Sequence, residues 1–229
     1  MKETGIDLLQ IHLMEPTTVV TNLITGGLCL YFFKKLTQQP VQFTLGSNWK
    51  FFFLYMGIAS IIGAFTHGFK SYFGNDDYYY IWLFMNLSGI PCSYFLLQAN
   101  IELSKLSHNL KQILKKLSII LTAALTILVI GLNDFLLIKI NAGFVILLTL
   151  YNHLKRYNEG HQGSGFILAG FLVSTLSIVV HTTQFSLSDW FNFKDISHVI
   201  MSISLYIIFL GVMLKMKVHE LSINKKATF

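Results

Sequence analysis

Long apolar runs separated by short polar connections dominate the pattern along this chain. A helix needs about 20 mostly apolar residues to cross the hydrocarbon core of a bilayer. The runs lack the alternation of apolar and polar residues that marks a membrane β-strand. We therefore predict an all-α, polytopic membrane protein, a bundle of seven transmembrane helices, with spans at about 17–33, 51–72, 79–100, 117–131, 135–152, 165–185 and 196–216.

The fourth and fifth runs are separated only by Asn133 and Asp134. Asn and Asp are turn-forming residues, so this pair predicts a tight hairpin between two helices. One long helix in its place would reduce the count to six and break the charge alternation described below.

The composition agrees with a bundle that has almost no soluble part. Of the residues, 53% are hydrophobic and 12% are charged, whereas a soluble chain carries about 25% charged residues. We expect one domain over 1–229, with 1–14 as an N-terminal segment and 217–229 as a tail. Ile6, Leu9 and Leu13 recur at helical spacing, which predicts either a short interfacial helix or a flexible segment.

The charges are divided unequally between the two sets of connections. Thirteen of the 17 basic residues fall between spans one and two, three and four, five and six, or after span seven. The positive-inside rule places that side in the cytoplasm and the N-terminus outside. Orientation thus explains the formal charge of +6 without a nucleic-acid partner. Eight acidic residues fall on the outer side: Glu3, Asp7, Glu15, Asp76, Asp77, Asp134, Asp189 and Asp195.

Three histidines fall within predicted spans, close to the outer boundary. His67, His181 and His198 each lie roughly 5–8 Å below that boundary at about 1.5 Å per residue. Each follows or precedes small residues at helical spacing, which is typical of a face turned to a bundle interior. Ionisable residues inside a membrane are costly and are candidates for function.

Three imidazoles around one cavity can bind Zn²⁺ and leave a fourth position open, as in catalytic zinc sites. Such a site activates water near neutral pH and needs a carboxylate as base. Asp77, at the start of span three, is a candidate for that base, and Asp195, one turn before His198, is a candidate for orienting an imidazole. The sequence alone does not decide which aspartate has which role. Glu15 lies at the outer end of a polar stripe on span one and is a supporting group.

Other ionisable residues have simpler interpretations. His12 is either a fourth ligand or a surface histidine, and Lys139 in span five is expected to extend to the outer interface. Cys29 and Cys92 fall inside spans, which favours a packing role over a disulfide. The histidines themselves have an alternative role as hydrogen-bonding groups that fix helix packing.

Several short segments resemble an uncharacterised family of small bacterial seven-helix proteins. They are EPTT at 15–18 with Thr21 and Asn22, GAFTHGF at 63–69, and FNFKDISHVI at 191–200. The last is similar to an FNHNDLYHVIQ-type signature, with Phe193 in place of its first histidine. More distantly, the arrangement resembles the CREST superfamily, which contains the alkaline ceramidases and the progestin/adipoQ receptors.

The distant resemblance implies zinc held by one histidine of the second span and two of the seventh, with a nearby aspartate, and hydrolysis of a lipid amide. His67 and His198 match that pattern, and Asp77 falls near the expected aspartate. Two positions depart from it: Lys194 stands where the first histidine of HxxxH is expected, and Gly63 stands in place of a serine. His181 is a candidate for the missing ligand.

The leading hypothesis is a zinc-dependent hydrolase of a lipid amide or ester in a bacterial inner membrane. Its expected metal ligands are His67, His181 and His198, with Asp77 as general base and Glu15 and Asp195 in support. A second hypothesis is a lipid-binding or sensory protein whose site is not catalytic. A third is a proton-coupled transporter, although the sequence shows no inverted repeat.

Overall fold

The computed structural model describes residues 4–8, 11–39 and 44–227. Within these ranges the chain forms a two-stranded hairpin followed by seven α-helices. The strands are β1 (Gly5–Leu8) and β2 (Ile11–Met14). The helices are α1 (Pro16–Thr37), α2 (Thr44–Gly68), α3 (Asn75–Leu103), α4 (His108–Leu132), α5 (Phe135–Asn158), α6 (Ser164–Thr183) and α7 (Phe193–Ala227), with a 3-10 turn at Lys70–Tyr72 between α2 and α3.

All seven helices are long and apolar enough to cross a membrane, which confirms the predicted number of spans and indicates an integral multi-pass protein. The boundaries differ in detail. The second helix ends at Gly68, where the sequence predicted a span to 72, and the 3-10 turn follows. The fourth helix begins at His108, nine residues before its apolar run, because its first turns are amphipathic and carry lysines.

The predicted hairpin between the fourth and fifth helices is confirmed. Asn133 adopts a left-handed conformation with φ 46° and ends α4, and the Asp134 side chain accepts a hydrogen bond from the backbone N–H of Leu136 at 2.8 Å to cap α5. Asn and Asp tolerate these conformations better than other residues. The charge alternation across seven spans is therefore preserved.

The prediction of an interfacial helix or flexible segment before the first span is wrong for the described residues. Residues 5–8 and 11–14 form an antiparallel β-hairpin in which Ile6 pairs with Leu13; Leu9 lies outside the described ranges. The backbone N–H of His12 donates to the Tyr72 hydroxyl at 2.6 Å. The hairpin is thus anchored over the end of α2, and backbone pairing overrides the helical spacing of the apolar residues.

Helices α1, α3, α5 and α7 begin at the end of the bundle that carries this hairpin, here called the hairpin end. The helices α1 and α7 therefore run parallel, and their polar side chains meet in register. Three contacts join residues at one constant separation of 177 positions: Thr18 to Asp195 at 2.7 Å, Thr21 to His198 at 3.2 Å and Thr25 to Ser202 at 2.7 Å. Inter-helix hydrogen bonds of this kind satisfy polar groups that lipid cannot.

The half of the bundle away from the hairpin end is filled by an apolar core. Phe32 and Phe209 stack with centroids 4.3 Å apart, and Phe53 meets Phe32 edge-on at 5.4 Å. Helices α6 and α7 are in close contact at Gly170. A Cβ at this position would lie 2.5 Å from a side-chain carbon of Ile208, so the contact requires a residue without a side chain. The core therefore closes one end of the bundle, and any internal space lies toward the other end.

Candidate functional site

A cavity of about 820 Å³ opens inside the bundle at the hairpin end. Its lining comes from α1, α2, α3, α5, α6 and α7 among the described residues, whereas α4 packs outside it. This volume is within the range of about 300–1,000 Å³ that is usual for small-molecule sites. The cavity is therefore large enough for one ligand of substantial size.

The chemistry of the lining changes with depth. From His67 to Phe52 the cavity follows α2 over about 22 Å, at a rise of about 1.5 Å per residue. The deep wall is made of side chains such as Phe52, Leu96, Phe171 and Leu205, which also belong to the apolar core. The Glu, Lys and His residues of the lining lie toward the hairpin end and are Glu15, His67, Lys70, Lys139, His181, Lys194 and His198. The space is amphipathic along its length.

Glu15 sits where the chain turns from β2 into α1. Its backbone has φ 43° and ψ 54°, the left-handed conformation that residues other than Gly seldom adopt, and its N–H donates to the Thr4 carbonyl at 2.8 Å. Pro16 follows at the first position of the helix, which suits its fixed φ. This turn directs the Glu15 side chain into the bundle, where the cavity begins.

The Glu15 carboxylate is shared by two cationic or proton-donating groups. His67 Nδ1 lies 2.6 Å from Oε2, and Lys194 Nζ donates to Oε1 at 2.5 Å. Burial alone would raise the pKa of Glu15, but the hydrogen bonds and charges of His67 and Lys194 outweigh burial and lower it to about 2. Glu15 is therefore ionised at neutral pH, and it ties α2 to α7.

This contact fixes the proton on the His67 ring. An ionised carboxylate only accepts hydrogen bonds, so Nδ1 must be the donor to Glu15. In the neutral imidazole the lone pair is then on Nε2, and His67 lines the cavity. A carboxylate-oriented imidazole of this kind can act as a base or as a ligand.

His198 is held by α1. The Thr21 hydroxyl lies 3.0 Å from the Thr17 carbonyl and 3.2 Å from the Thr18 carbonyl. It also lies 3.2 Å from His198 Nδ1, a contact that joins α1 to α7. His198 lines the cavity as His67 does. Two helices thus present an imidazole to one space.

His181 is held differently from the other two histidines. Its ring packs edge-on against Phe193, with centroids 5.0 Å apart and planes at 87°. It also lines the cavity, so the structure brings all three predicted histidines to one space. The prediction that they share one end of the bundle is confirmed at that level.

Asp195 has a structural role at the start of α7. Its Oδ2 accepts from the Asn192 N–H at 2.8 Å, and the Asn192 side chain accepts from the Lys194 N–H at 2.9 Å. This arrangement is a variant of the capping box, because the Asn192 side chain binds the second helical N–H instead of the third. The other oxygen, Oδ1, accepts from Thr18 at 2.7 Å, and the residue is fully buried. Asp195 contacts no histidine through these bonds, although the sequence suggested that it orients one.

Asp77 lies apart from the other predicted site residues. It is in the first turn of α3, its side chain is exposed, and it is not among the residues that line the cavity. Carboxylates in a first turn favour helix formation through the helix dipole. His12 is likewise on the surface, where Nδ1 lies 2.8 Å from Asp7 Oδ1.

The arrangement does not fit a zinc ion as it stands. Within the described part of the chain, no three His, Cys, Asp or Glu side chains are grouped closely enough to hold one metal ion. Both oxygens of Glu15 are occupied, one of them by the ammonium of Lys194. A fixed cation therefore already neutralises the carboxylate. Zinc binding by His67, His181 and His198 stays a prediction.

Sequence reasoning did not assign three lysines and one asparagine of the lining to the site. Lys70, Lys139 and Lys194 all line it, and the sequence analysis placed Lys139 at the interface and treated Lys194 only as a departure from a motif. Asn86 also lines it, with Oδ1 buried and without a hydrogen-bond partner in the described structure. A signal existed, because four lysines lie outside the basic connections and these three are among them.

Comparison with known proteins gives a family but no activity. A protein-family profile described as "Family of unknown function (DUF6962)" matches residues 17–217, and the chain belongs to this family. The match includes residues of all seven helices and every lining residue of the cavity apart from Glu15. A search of curated proteins and a search of solved structures each gave no match.

Proposed function

We propose that this member of the family binds one amphipathic, lipid-like molecule inside its seven-helix bundle. The observation that carries the proposal is the cavity of about 820 Å³, ionisable at the hairpin end and apolar in its depth. The apolar part follows helices that are long enough to cross a membrane. An acyl chain in it would lie parallel to the surrounding lipid chains.

Two glycines provide a matched test of this proposal. Gly89 lines the cavity, and a Cβ there meets only Ile138 Cγ2 at 3.5 Å; Gly143 is not a lining residue, and a Cβ there meets nothing within 4 Å. Both glycines are in helices, so Gly89→Phe and Gly143→Phe change helix propensity alike. Only Gly89→Phe fills the cavity.

The measurement is extraction and mass spectrometry of co-purified lipid, together with displacement of a fluorescent acyl probe from purified protein. We expect a bound amphiphile in the wild type and in Gly143→Phe, and its loss in Gly89→Phe. Equal occupancy in the two variants, or a wild-type protein that binds no acyl compound, would contradict the proposal.

Hydrolysis of the bound lipid is a second candidate function, favoured by the Glu15–His67 contact of 2.6 Å. In this scheme His67 Nε2 removes a proton from water as the water oxygen attacks a carbonyl carbon of an amide or ester. The carboxylate of Glu15 stabilises the imidazolium that forms. The ring then returns the proton to the leaving amine or alcohol, and a carboxylic acid is the other product.

Incubation with a panel of acyl amides and esters tests this candidate. We expect turnover by the wild type, loss of turnover in His67→Asn, and full turnover in Asp77→Asn, because Asp77 lies outside the cavity. If Asp77→Asn loses turnover, Asp77 and not His67 would be the candidate general base. Binding without products would rule out hydrolysis and support the amphiphile-binding proposal.

The proposed setting is a bacterial inner membrane, with the hairpin end outside and the lysine-rich connections in the cytoplasm. The two native cysteines, Cys29 and Cys92, are buried, so an introduced cysteine can be labelled selectively. A membrane-impermeant maleimide should label Asp77→Cys in intact cells and should label Lys155→Cys only after the cells are opened. The reverse pattern would invert the orientation.

A further inference from the structure

We infer that the occupant of the cavity is an anionic amphiphile whose head group also carries a hydrogen-bond donor. This inference rests on the proposed function and names the class of ligand. It comes from two features of the described lining: the ammonium of Lys139, which no carboxylate of the lining offsets, and a buried acceptor on Asn86 that has no partner.

One cation of the lining has no carboxylate of the lining to neutralise it. Three lysines (Lys70, Lys139 and Lys194) and one carboxylate (Glu15) line the cavity. Lys194 is engaged by Glu15. The charge of Lys139 has no second carboxylate among the described lining residues to offset it.

These lysines are also exceptions to the charge distribution of the whole chain. Orientation by the positive-inside rule favours few lysines at the hairpin end. Of the four lysines outside the basic connections, Lys2 lies outside the described ranges and the other three line the cavity. Membrane orientation therefore does not account for these three. Lys194 is paired with Glu15, and an anionic ligand would account for Lys139.

Lys139 is the cation best placed to receive such a ligand. It is exposed and lines the cavity, and its Nζ lies 5.2 Å from the centre of the Phe135 ring. No hydrogen bond or ion pair to another described side chain involves it. An ammonium held by a ring face keeps its donors available, and charge-assisted hydrogen bonds to carboxylate or phosphate are the strong kind.

Asn86 supplies the second half of the recognition. Its Nδ2 donates to Asn133 Oδ1 at 3.0 Å, and Asn133 Nδ2 donates in turn to the Tyr79 carbonyl at 3.0 Å. These bonds fix the amide so that Oδ1 is the free acceptor. The residue is only 1% exposed, and a buried acceptor without a partner is costly. An amide N–H or a hydroxyl of the ligand would satisfy it.

Four amphiphilic probes with twelve-carbon chains separate the two features on wild-type protein. N-lauroylglycine has a carboxylate and an amide N–H; laurate has the charge alone; N-lauroylglycine methyl ester has the donor alone; dodecyltrimethylammonium has the opposite charge. We expect affinity to fall in that order, measured by displacement of a fluorescent acyl probe in a neutral detergent. A methyl ester that binds as tightly as the acid, or preference for the cation, would overturn the inference.

Matched variants assign the effect to residues. Lys139→Met should lower the affinity for N-lauroylglycine and for laurate about tenfold and leave the affinity for the methyl ester unchanged. Lys155→Met removes a lysine from the other end of the same helix and should change none of these affinities. Asn86→Leu should abolish the preference for N-lauroylglycine over laurate, whereas Lys155→Met should retain it.

The outcomes test the anionic head group separately from amphiphile binding itself. If the methyl ester binds tightly and Gly89→Phe blocks it, the cavity binds amphiphiles and the anionic head group is wrong. If no probe binds the wild type, the amphiphile-binding proposal fails first. Equal effects of Lys139→Met and Lys155→Met would remove Lys139 from recognition even where anions are preferred.

Discussion

Glu15 Oε2 and His67 Nδ1 lie 2.6 Å apart, across the junction between the end of the hairpin and the end of α2. The contact joins residues 52 positions apart and places an ionised carboxylate, a histidine and, through Oε1, the ammonium of Lys194 at one entrance. Its consequences for stability and for metal binding can each be measured.

The Glu15 carboxylate should make the bundle sensitive to acid. Its pKa is lowered from 4.5 to about 2 in the folded protein, so the unfolded state binds more protons between these values. The stability from Glu15 is therefore complete above about pH 5 and is lost as the pH falls toward 2. Thermal unfolding of purified protein in detergent from pH 6 to pH 2 measures this loss.

Glu15→Gln is the matched variant for that experiment. It should lower stability at pH 7 by about 1.5–3 kcal/mol, the value of hydrogen bonds to charged groups, and its Tm should depend less on pH than that of the wild type. Other carboxylates titrate in both proteins, so the difference between them isolates Glu15. Parallel pH curves for the two proteins would show that the contact contributes nothing to folding.

Asp195 should matter for stability and Asp77 should not. Asp195→Ala leaves the Thr18 hydroxyl and the Asn192 N–H without their acceptor and removes the capping box of α7. A loss of about 2–3 kcal/mol is expected from a buried donor left unpaired together with a lost cap. Asp77→Ala, at an exposed position, should change the Tm by little. A Tm shift of the same size in both would contradict the assigned roles.

Metal content should depend on residue 194. The zinc hypothesis predicts one zinc per chain that is lost in His67→Ala, His181→Ala and His198→Ala. Because the described residues form no group of three metal-binding side chains, we expect less than stoichiometric zinc in wild-type protein purified without chelators. Lys194→His adds an imidazole one turn before His198 and removes the ammonium from Glu15, and it should raise the zinc content.

Elemental analysis of the five proteins decides between the two expectations. Stoichiometric zinc in the wild type, lost in all three alanine variants, would restore the three-histidine site. A Lys194→His protein that binds no more zinc than the wild type would show that the ammonium does not control metal binding.

Close contact between α6 and α7 should depend on Gly163 more than on Gly160. Both have positive φ, 79° and 76°, so alanine strains the backbone at each by about 1–2 kcal/mol. A Cβ at Gly163 would lie 2.3 Å from the Gly211 carbonyl oxygen, whereas one at Gly160 meets nothing within 4 Å. Gly163→Ala should therefore cost a further 1–3 kcal/mol or so. Equal Tm values for the two variants would contradict this packing.

The sequence by itself determined the seven-helix bundle, because lipid leaves a backbone no other way to pair its polar groups along apolar runs of this length. It also determined that His67, His181 and His198 share one end of the bundle, since depth follows from counting residues along each helix. Tertiary structure alone decided which groups touch. The Glu15 turn, the register of α1 against α7 and the burial of Asp195 depend on how neighbouring helices are placed, and residue spacing within one helix carries no information on that. For the same reason Lys139 and Asn86 became parts of one cavity only when six helices closed around it.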